Sequence, residues 1–224
     1  MPRPFDPATF RCTRRLELVA WREGRRFIAG CDEVGRGALL GPLYAAAVIL
    51  DPARSIPGID DSKKLTPERR QVLAKKIRAK ALGWQVVAIT AAEVDALNVY
   101  EASRQGMLRA LRALIPVPDF ILTDAMPLRG AKGDFSIPHR AIIHGDSLSV
   151  SIAAASILAK VARDEHLARL DGVFPQYGLA KNKGYGTQDH LDALARFGPC
   201  PEHRKTYQPV KDYFLPLFPL MAPA

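Results

Sequence analysis

Hydrophobic positions in this chain fall into short dense runs separated by charged, amphipathic stretches, the alternation expected of an α/β protein. Phe27–Asp32, Tyr44–Leu50 and Trp84–Thr90 are apolar runs of strand length. Phe120–Thr123 and Arg140–Ile143 read as two further short strands, the second of them buried. Between the runs, helical spacing marks Arg11–Trp21 as a basic amphipathic helix, followed by Pro67–Leu82, Glu93–Leu97 and Ala102–Leu114. Thr66 caps the second of these and Pro67 pre-sets its first turn. A long helix is predicted from Ser147 through Lys160, rich enough in Ala and Ser to pack closely on a neighbour. A Pro/Gly-rich loop over Phe174–Gly186 then leads to a last helix, Gln188–Phe197.

One strand end carries unusual chemistry. Gly30-Cys31-Asp32-Glu33-Val34-Gly35-Arg36-Gly37 sets two adjacent carboxylates after the apolar Phe27-Ile28-Ala29, then places glycines around an arginine. Burying two acids beside a core strand is costly without a compensating cation or hydrogen-bond network. The glycines let backbone approach a ligand closely. The combination points to a metal site beside a phosphate-backbone contact, against the plainer reading of a strand-end cap. Successive strand side chains face opposite ways, so for both acids to serve one site Glu33 must lie where the strand bends or ends.

Two more acids occupy comparable positions. Asp124 ends the Phe120 strand, and Asp146 follows the Arg140 strand in the turn His144-Gly145-Asp146-Ser147, where an N-cap is the alternative explanation. Acids at strand ends and helix starts suit a shared metal centre at one edge of an α/β sheet. Asp164 competes with Asp146 for this role. On one continuous helix from Ser147, however, the two would lie about 27 Å apart at ~1.5 Å per residue. Asp164 also sits in a charged stretch typical of a solvated face, so Asp146 is the better candidate.

Composition narrows the class further. At 224 residues with 48% hydrophobic and 25% charged, the chain has an ordinary globular make-up. Its formal net charge of +9 fits a polyanionic partner. Cys12, Cys31 and Cys200 are odd in number and far apart, which argues against a disulfide framework or a structural zinc site. No signal peptide begins at Met1, and Ala38–Leu50 is too short to span a bilayer. A cytoplasmic, monomeric protein is expected.

The motifs together resemble ribonuclease HII, the type 2 ribonuclease H family. Matching segments are Ala29–Gly37, Gly41-Pro42, Asp61–Leu65, Leu97-Asn98, Thr123–Ala125, Gly145–Ser147, Ala153–Asp164, Tyr177-Gly178, Lys183–Thr187 and His203–Tyr207. They run in family order from near Arg26 to near Val210. Val34, Asn182 and Thr123-Asp124-Ala125 depart from the usual Ala, His and Val-Asp-Gly, and none of these changes removes a carboxylate. The resemblance implies a ribonuclease H-like mixed sheet flanked by helices, with a small C-terminal helical subdomain. Residues 1–172 would form the catalytic domain and 173–224 the subdomain and tail.

The same resemblance implies that Asp32, Glu33, Asp124 and Asp146 hold two Mg²⁺ or Mn²⁺ ions and are catalytic. Hard cations of this kind take oxygen ligands and need no His or Cys. Two such ions activate water and stabilise both the phosphorus centre and the leaving oxygen. The backbone of Gly35-Arg36-Gly37 and the ring of Tyr185 would read the ribose 2′-OH, which distinguishes RNA from DNA. Lys63, Lys64, Arg204 and Thr206 are candidate phosphate contacts, with plain surface charge as the alternative. Tyr185 could instead be a loop aromatic packed on the subdomain.

The implied activity is cleavage of the RNA strand of RNA/DNA hybrids, and of the 5′ side of ribonucleotides embedded in duplex DNA. The products would be 3′-hydroxyl and 5′-phosphate ends. Two alternatives are another metal nuclease on the same fold and a non-catalytic nucleic-acid-binding protein. The four acids favour an enzyme. Finally, Tyr213–Leu220 is unusually apolar for a terminus. It is either a hydrophobic clasp on the subdomain or a tether for a sliding clamp, since Phe214–Phe218 resembles the end of the bacterial clamp-binding pattern with Phe214 in place of Gln.

Overall fold

The computed structural model describes residues 10–128 and 136–215. Five strands form one mixed sheet: β1 (Ile28–Val34), β2 (Leu43–Ile49), β3 (Gly83–Ile89), β4 (Phe120–Asp124) and β5 (His139–Ile142). Their spatial order is β3-β2-β1-β4-β5, antiparallel across β1–β2 and β2–β3, parallel across β1–β4 and β4–β5. The apolar runs thus become strands within a residue or two of the expected bounds. The exception is character: β5 is an edge strand with its middle residues exposed, where a buried strand was expected. β5 is the last strand of the sheet and pairs only with β4 among the described residues.

Helices α1 (Arg15–Arg22), α2 (Pro67–Lys80), α3 (Ala91–Leu97) and α4 (Val99–Arg112) follow the predicted order. The Thr66 hydroxyl accepts from the Arg69 N–H, the predicted cap of α2. Thr90 and Glu93 form a capping box on α3, and the Asn98 side chain caps α4. One face of the sheet carries α2 and the long helix α6 (Val150–Val173) through Ala46, Val48, Leu73, Ile77 and Ala153–Ala155. The other face carries α4 through Ala45, Ala47, Ile49, Met107 and Leu111. Close approach of α6 to β1 depends on Gly30, where a Cβ would lie 2.0 Å from the Ser151 carbonyl carbon. No side chain fits there.

The predicted helix from Ser147 is not continuous. A four-residue turn, α5 (Gly145–Leu148), is separated from α6 by extended Ser149, whose hydroxyl caps α6 at the Ile152 N–H. Asp146 therefore lies in its own short turn and caps nothing in α6. Residues 11–14, part of the expected first helix, are not helical either: Thr13 pairs with Ser149, which holds the chain extended there. Beyond α6, a 3₁₀ turn (Pro175–Tyr177), the short α7 (Leu179–Asn182) and α8 (Gln188–Phe197) pack through Tyr177, Leu179 and Ala193 onto Leu40 and Leu167. The C-terminal elements thereby clasp the loop after β1. Leu39 and Leu40 N–H donate to the Gly184 carbonyl, and Gly41 N–H donates to Glu202. No helix among the described residues is long and apolar enough to cross a membrane.

Candidate metal centre and substrate cleft

Asp32 and Asp124 leave neighbouring parallel strands side by side, one step past the pair Cys31–Thr123. Asp146 is brought to them from α5 by a hydrogen bond of 2.7 Å from the Gly145 N–H to Asp124 Oδ1. Carboxylate oxygens of Asp32, Asp124 and Asp146 all fall within 4.8 Å of one another. Glu33 takes the opposite face of β1, opposite Ala45 in the α4-side layer, whereas Asp32 lies opposite Ala46 on the α6 side. Both acids nevertheless line one cavity of about 500 Å³ at the strand end, with Asp124, Ser62, Lys63, Ser156, Lys160 and Tyr185. No bend is needed for this: β1 remains paired through Val34.

The cluster is built against its own repulsion. Burial holds Asp32 well above the ordinary carboxylate range, and the charges of Glu33, Asp124 and Asp146 push the same way. A hydrogen bond with Ser156 pulls only partly back. Glu33 is raised by burial and by Asp124, opposed by Arg36, whose Nη1 lies 3.2 Å from Glu33 Oε1. Asp124 is raised by burial and by Asp146, opposed by the Gly145 N–H and Lys63. Burial pulls the Lys63 ammonium down, yet its 3.0 Å bond to Asp146 Oδ2 and the nearby acids leave it raised overall. Glu33 Oε2 is buried with no hydrogen-bond partner among the described residues. An orphaned carboxylate oxygen beside three converging ones fits divalent cations, which would supply the missing charge.

The remaining sequence candidates separate into two groups. Gly35 adopts φ +92°, and a Cβ there would meet Arg163 Nε at 2.2 Å, so the protein itself requires glycine. Gly37 is exposed and a Cβ on it would meet nothing within 4 Å, which leaves its backbone open to a ligand. Tyr185 lines the cavity with its ring under the Arg163 guanidinium, 5.3 Å from carbon to ring centre. Arg204, expected to contact substrate, does not: it is fully buried and bonds the Gly41 and Arg36 carbonyls. Such a guanidinium, surrounded by carbonyl oxygens, braces the loop and offers nothing to a phosphate. Lys64 is exposed outside the cavity wall, and Thr206 is bonded to Asp95 through its N–H and hydroxyl. Asp164 pairs with Lys160 at 2.7 Å and Arg70 at 3.8 Å, apart from the acidic cluster.

Ser62, Ser156 and Lys160 line the cavity without having been singled out as site residues. Lys160 had a local signal, its i,i+4 spacing from Asp164 on one helix face. Also unforeseen is the support of the tyrosine loop. The Cys200 N–H donates to His203 Nδ1 at 3.0 Å, which puts the ring proton on His203 Nε2, facing His190 Nε2 at 3.2 Å. The His190 Nδ1–H then donates to the Tyr185 carbonyl at 3.0 Å. Burial holds His203 down at about 4 and lowers His190 as well. The unfolded chain therefore binds more protons than the folded one between about pH 4 and ~6.5. The contribution to stability is intact above that window and is lost as pH falls through it. Thermal melts at pH 7 and pH 5 should show a smaller acid-induced loss in His203→Gln than in the parent; equal losses would remove His203 from the account.

Comparison with known proteins agrees with this geometry. The mixed sheet and its edge carboxylates define a ribonuclease H-like nuclease. A crystal structure of ribonuclease H2 from Pyrococcus horikoshii OT3 superposes with a TM-score of 0.70 at 25% identity, over 84% of this chain and 97% of that one. Ribonuclease HII in the PCNA:RNase HII complex from Archaeoglobus fulgidus superposes with a TM-score of 0.69 at 26% identity, over 82% of this chain and 96% of that one. In sequence, ribonuclease HII of Solibacter usitatus is 51% identical over 202 residues, 90% of this chain and 86% of its own length. Residues 29–210 match the Ribonuclease HII family model, and the chain belongs to that family. It is an RNA-cleaving endonuclease of a divalent-metal-dependent family that acts on RNA/DNA hybrids.

Proposed function

We propose that this chain cleaves both the RNA strand of RNA/DNA hybrids and the 5′ side of single ribonucleotides in duplex DNA, leaving 3′-hydroxyl and 5′-phosphate ends. Asp32, Glu33, Asp124 and Asp146 hold two Mg²⁺ or Mn²⁺ ions, and residues 173–224 form a helical subdomain with its tail. The ions, when bound, activate water and neutralise charge at the phosphorus and leaving oxygen. The chain's own residues position the substrate. Lys63 stands at the cavity mouth to meet a phosphate oxygen, with Lys64 just outside. The ring of Tyr185 approaches the sugar from the cavity and the exposed backbone at Gly37, next to the cavity-lining Arg36, from beside it, while Arg36 steadies Glu33. The observation that carries the reading is this one cavity, where Asp32, Asp124 and Glu33, with its orphaned oxygen, meet Arg36 and the Tyr185 ring, and where Asp146 converges on Asp32 and Asp124. A labelled RNA/DNA hybrid tests it: cleavage should vanish in chelator and return with Mg²⁺ or Mn²⁺, and chelator-resistant cleavage would refute it.

The protein is proposed to act as a monomer and to contact a sliding clamp through Phe214–Phe218. Two observations support the second point. The Archaeoglobus fulgidus relative was solved in a PCNA:RNase HII complex, and Phe214 and Leu215 of this chain are each about half exposed. The Tyr213 hydroxyl bonds the Leu194 carbonyl at 3.0 Å, which ties the start of the tail to α8. From Pro216 onward the tail lies outside the described residues. Deleting the chain from Leu215 should leave the melting temperature unchanged and remove clamp affinity in a pull-down or titration. A lowered melting temperature with no clamp affinity in the full chain would make the tail an intramolecular clasp.

A further inference from the structure

Asp146 sits in a place that its own element does not secure. The four-residue α5 is far too short to be stable alone. Several bonds from outside therefore hold it. On one side the Ser147 hydroxyl donates to Asp61 Oδ2 at 3.0 Å and Gly145 N–H donates to Asp124. On the other side the chain before α1 closes over the break to α6. Thr13 N–H donates to the Leu148 carbonyl, and Val150 N–H donates to the Thr13 carbonyl. Glu17, from the first turn of α1, completes this clamp. Its Oε1 accepts from the Ser149 hydroxyl at 2.5 Å and from the Ser151 N–H at 3.0 Å.

Glu17 is 1% exposed, no cation pairs with it among the described residues, and its Oε2 has no partner. A buried carboxylate without a cation is a poor source of stability, since desolvation opposes what two hydrogen bonds and the α6 N-terminus return. An apolar side chain would fill the space at less cost. What the carboxylate does supply is geometry. It bonds Ser149, at the change from α5 to α6, and Ser151, in the first turn of α6, three and five positions beyond Asp146. It also lies ahead of the stretch 29–210 matched by the family model.

We propose that Glu17 is a positioning residue for Asp146: by fixing the break at Ser149, it sets where the Asp146 carboxylate stands relative to Asp32 and Asp124. The proposal rests on Asp146 being a metal ligand. Residues that orient a ligand from behind are worth about 10–100-fold in metal affinity, and an indirect support belongs at the low end. Metal-free full-length protein is titrated with Mn²⁺ by calorimetry, alongside circular-dichroism melts. Glu17→Ala should weaken Mn²⁺ binding about tenfold. Glu17→Gln, which keeps an acceptor oxygen, should recover most of that loss. The Mn²⁺ concentration for half-maximal cleavage should rise in parallel with the calorimetric change, while kcat at saturating Mn²⁺ stays within about twofold, a split that plain loss of stability does not produce. If Glu17→Ala does not fold, Glu17→Asp, one methylene short of both partners, should show the weakened binding instead. Asp146→Asn separates the two levels. If it binds Mn²⁺ like the parent, the metal-ligand reading fails and this proposal with it. If Asp146→Asn binds weakly but folded Glu17→Ala and Glu17→Asp bind like the parent, Glu17 has no positioning role.

Discussion

Asp32→Asn, Glu33→Gln, Asp124→Asn and Asp146→Asn should each lower cleavage by about a thousandfold while the protein stays folded. Loss of one ligand from a metal pair removes several kcal/mol of transition-state stabilisation, and each ~1.4 kcal/mol is a factor of ten. The stability effect has the opposite sign. Asp32, Glu33 and Asp124 are all raised above ordinary carboxylate values in the metal-free protein. For an acid raised on folding, no penalty exists below its unfolded value. The penalty grows as pH climbs toward the folded value and is complete above it. At pH 7.5 the parent therefore carries the cost of charges held together, and Asp32→Asn relieves part of it. A gain on the order of 1 kcal/mol is expected, read as about 2–4 °C in the melting temperature of metal-free protein. Added Mg²⁺ should raise the melting temperature of the parent and close that gap. Asp164→Asn, by contrast, breaks only the pairs with Lys160 and Arg70 and should leave turnover near the parent's. A fully active Asp146→Asn would overturn the assignment.

Tyr185→Ala should weaken discrimination between ribonucleotide and all-DNA duplexes by about 5- to 150-fold, from the ~1–3 kcal/mol that an aromatic contact of this kind contributes. The comparison is made with cleavage-dead protein at fixed salt, so that phosphate contacts cancel. The ring is held from two sides, by Arg163 against its face and by His190 at its backbone carbonyl. Its replacement should therefore alter recognition with little movement of the loop. Equal affinity ratios before and after substitution would dismiss Tyr185 as a reader.

Much of the site was legible because its signals are local. Two acids closing the apolar run of β1, an acid closing β4 and an acid after a glycine following β5 are patterns within single elements. What escaped depends on contacts distant in sequence. The break at Ser149 carries no Pro or Gly; it is imposed by Thr13 and Glu17, more than 130 positions away. The helical distance that separates Asp164 from Asp146 in the sequence assumes no such break, yet the exclusion of Asp164 follows independently from its ion pairs with Lys160 and Arg70. Arg204 looked like a phosphate contact because charge normally means surface, and only the fold surrounds it with the carbonyls of Gly41 and Arg36. Similarly, the apolar residues of β5 resembled a core strand, although its edge position leaves them half exposed.

The most direct test is to map cleavage of a DNA duplex carrying one internal ribonucleotide, labelled at either end, with Mg²⁺ or Mn²⁺. The account predicts one nick on the 5′ side of the ribonucleotide, with a 3′-hydroxyl and a 5′-phosphate, absent in chelator and in Asp124→Asn. Nicking on the 3′ side, nicking of the all-DNA duplex, or undiminished nicking by Asp124→Asn would contradict it.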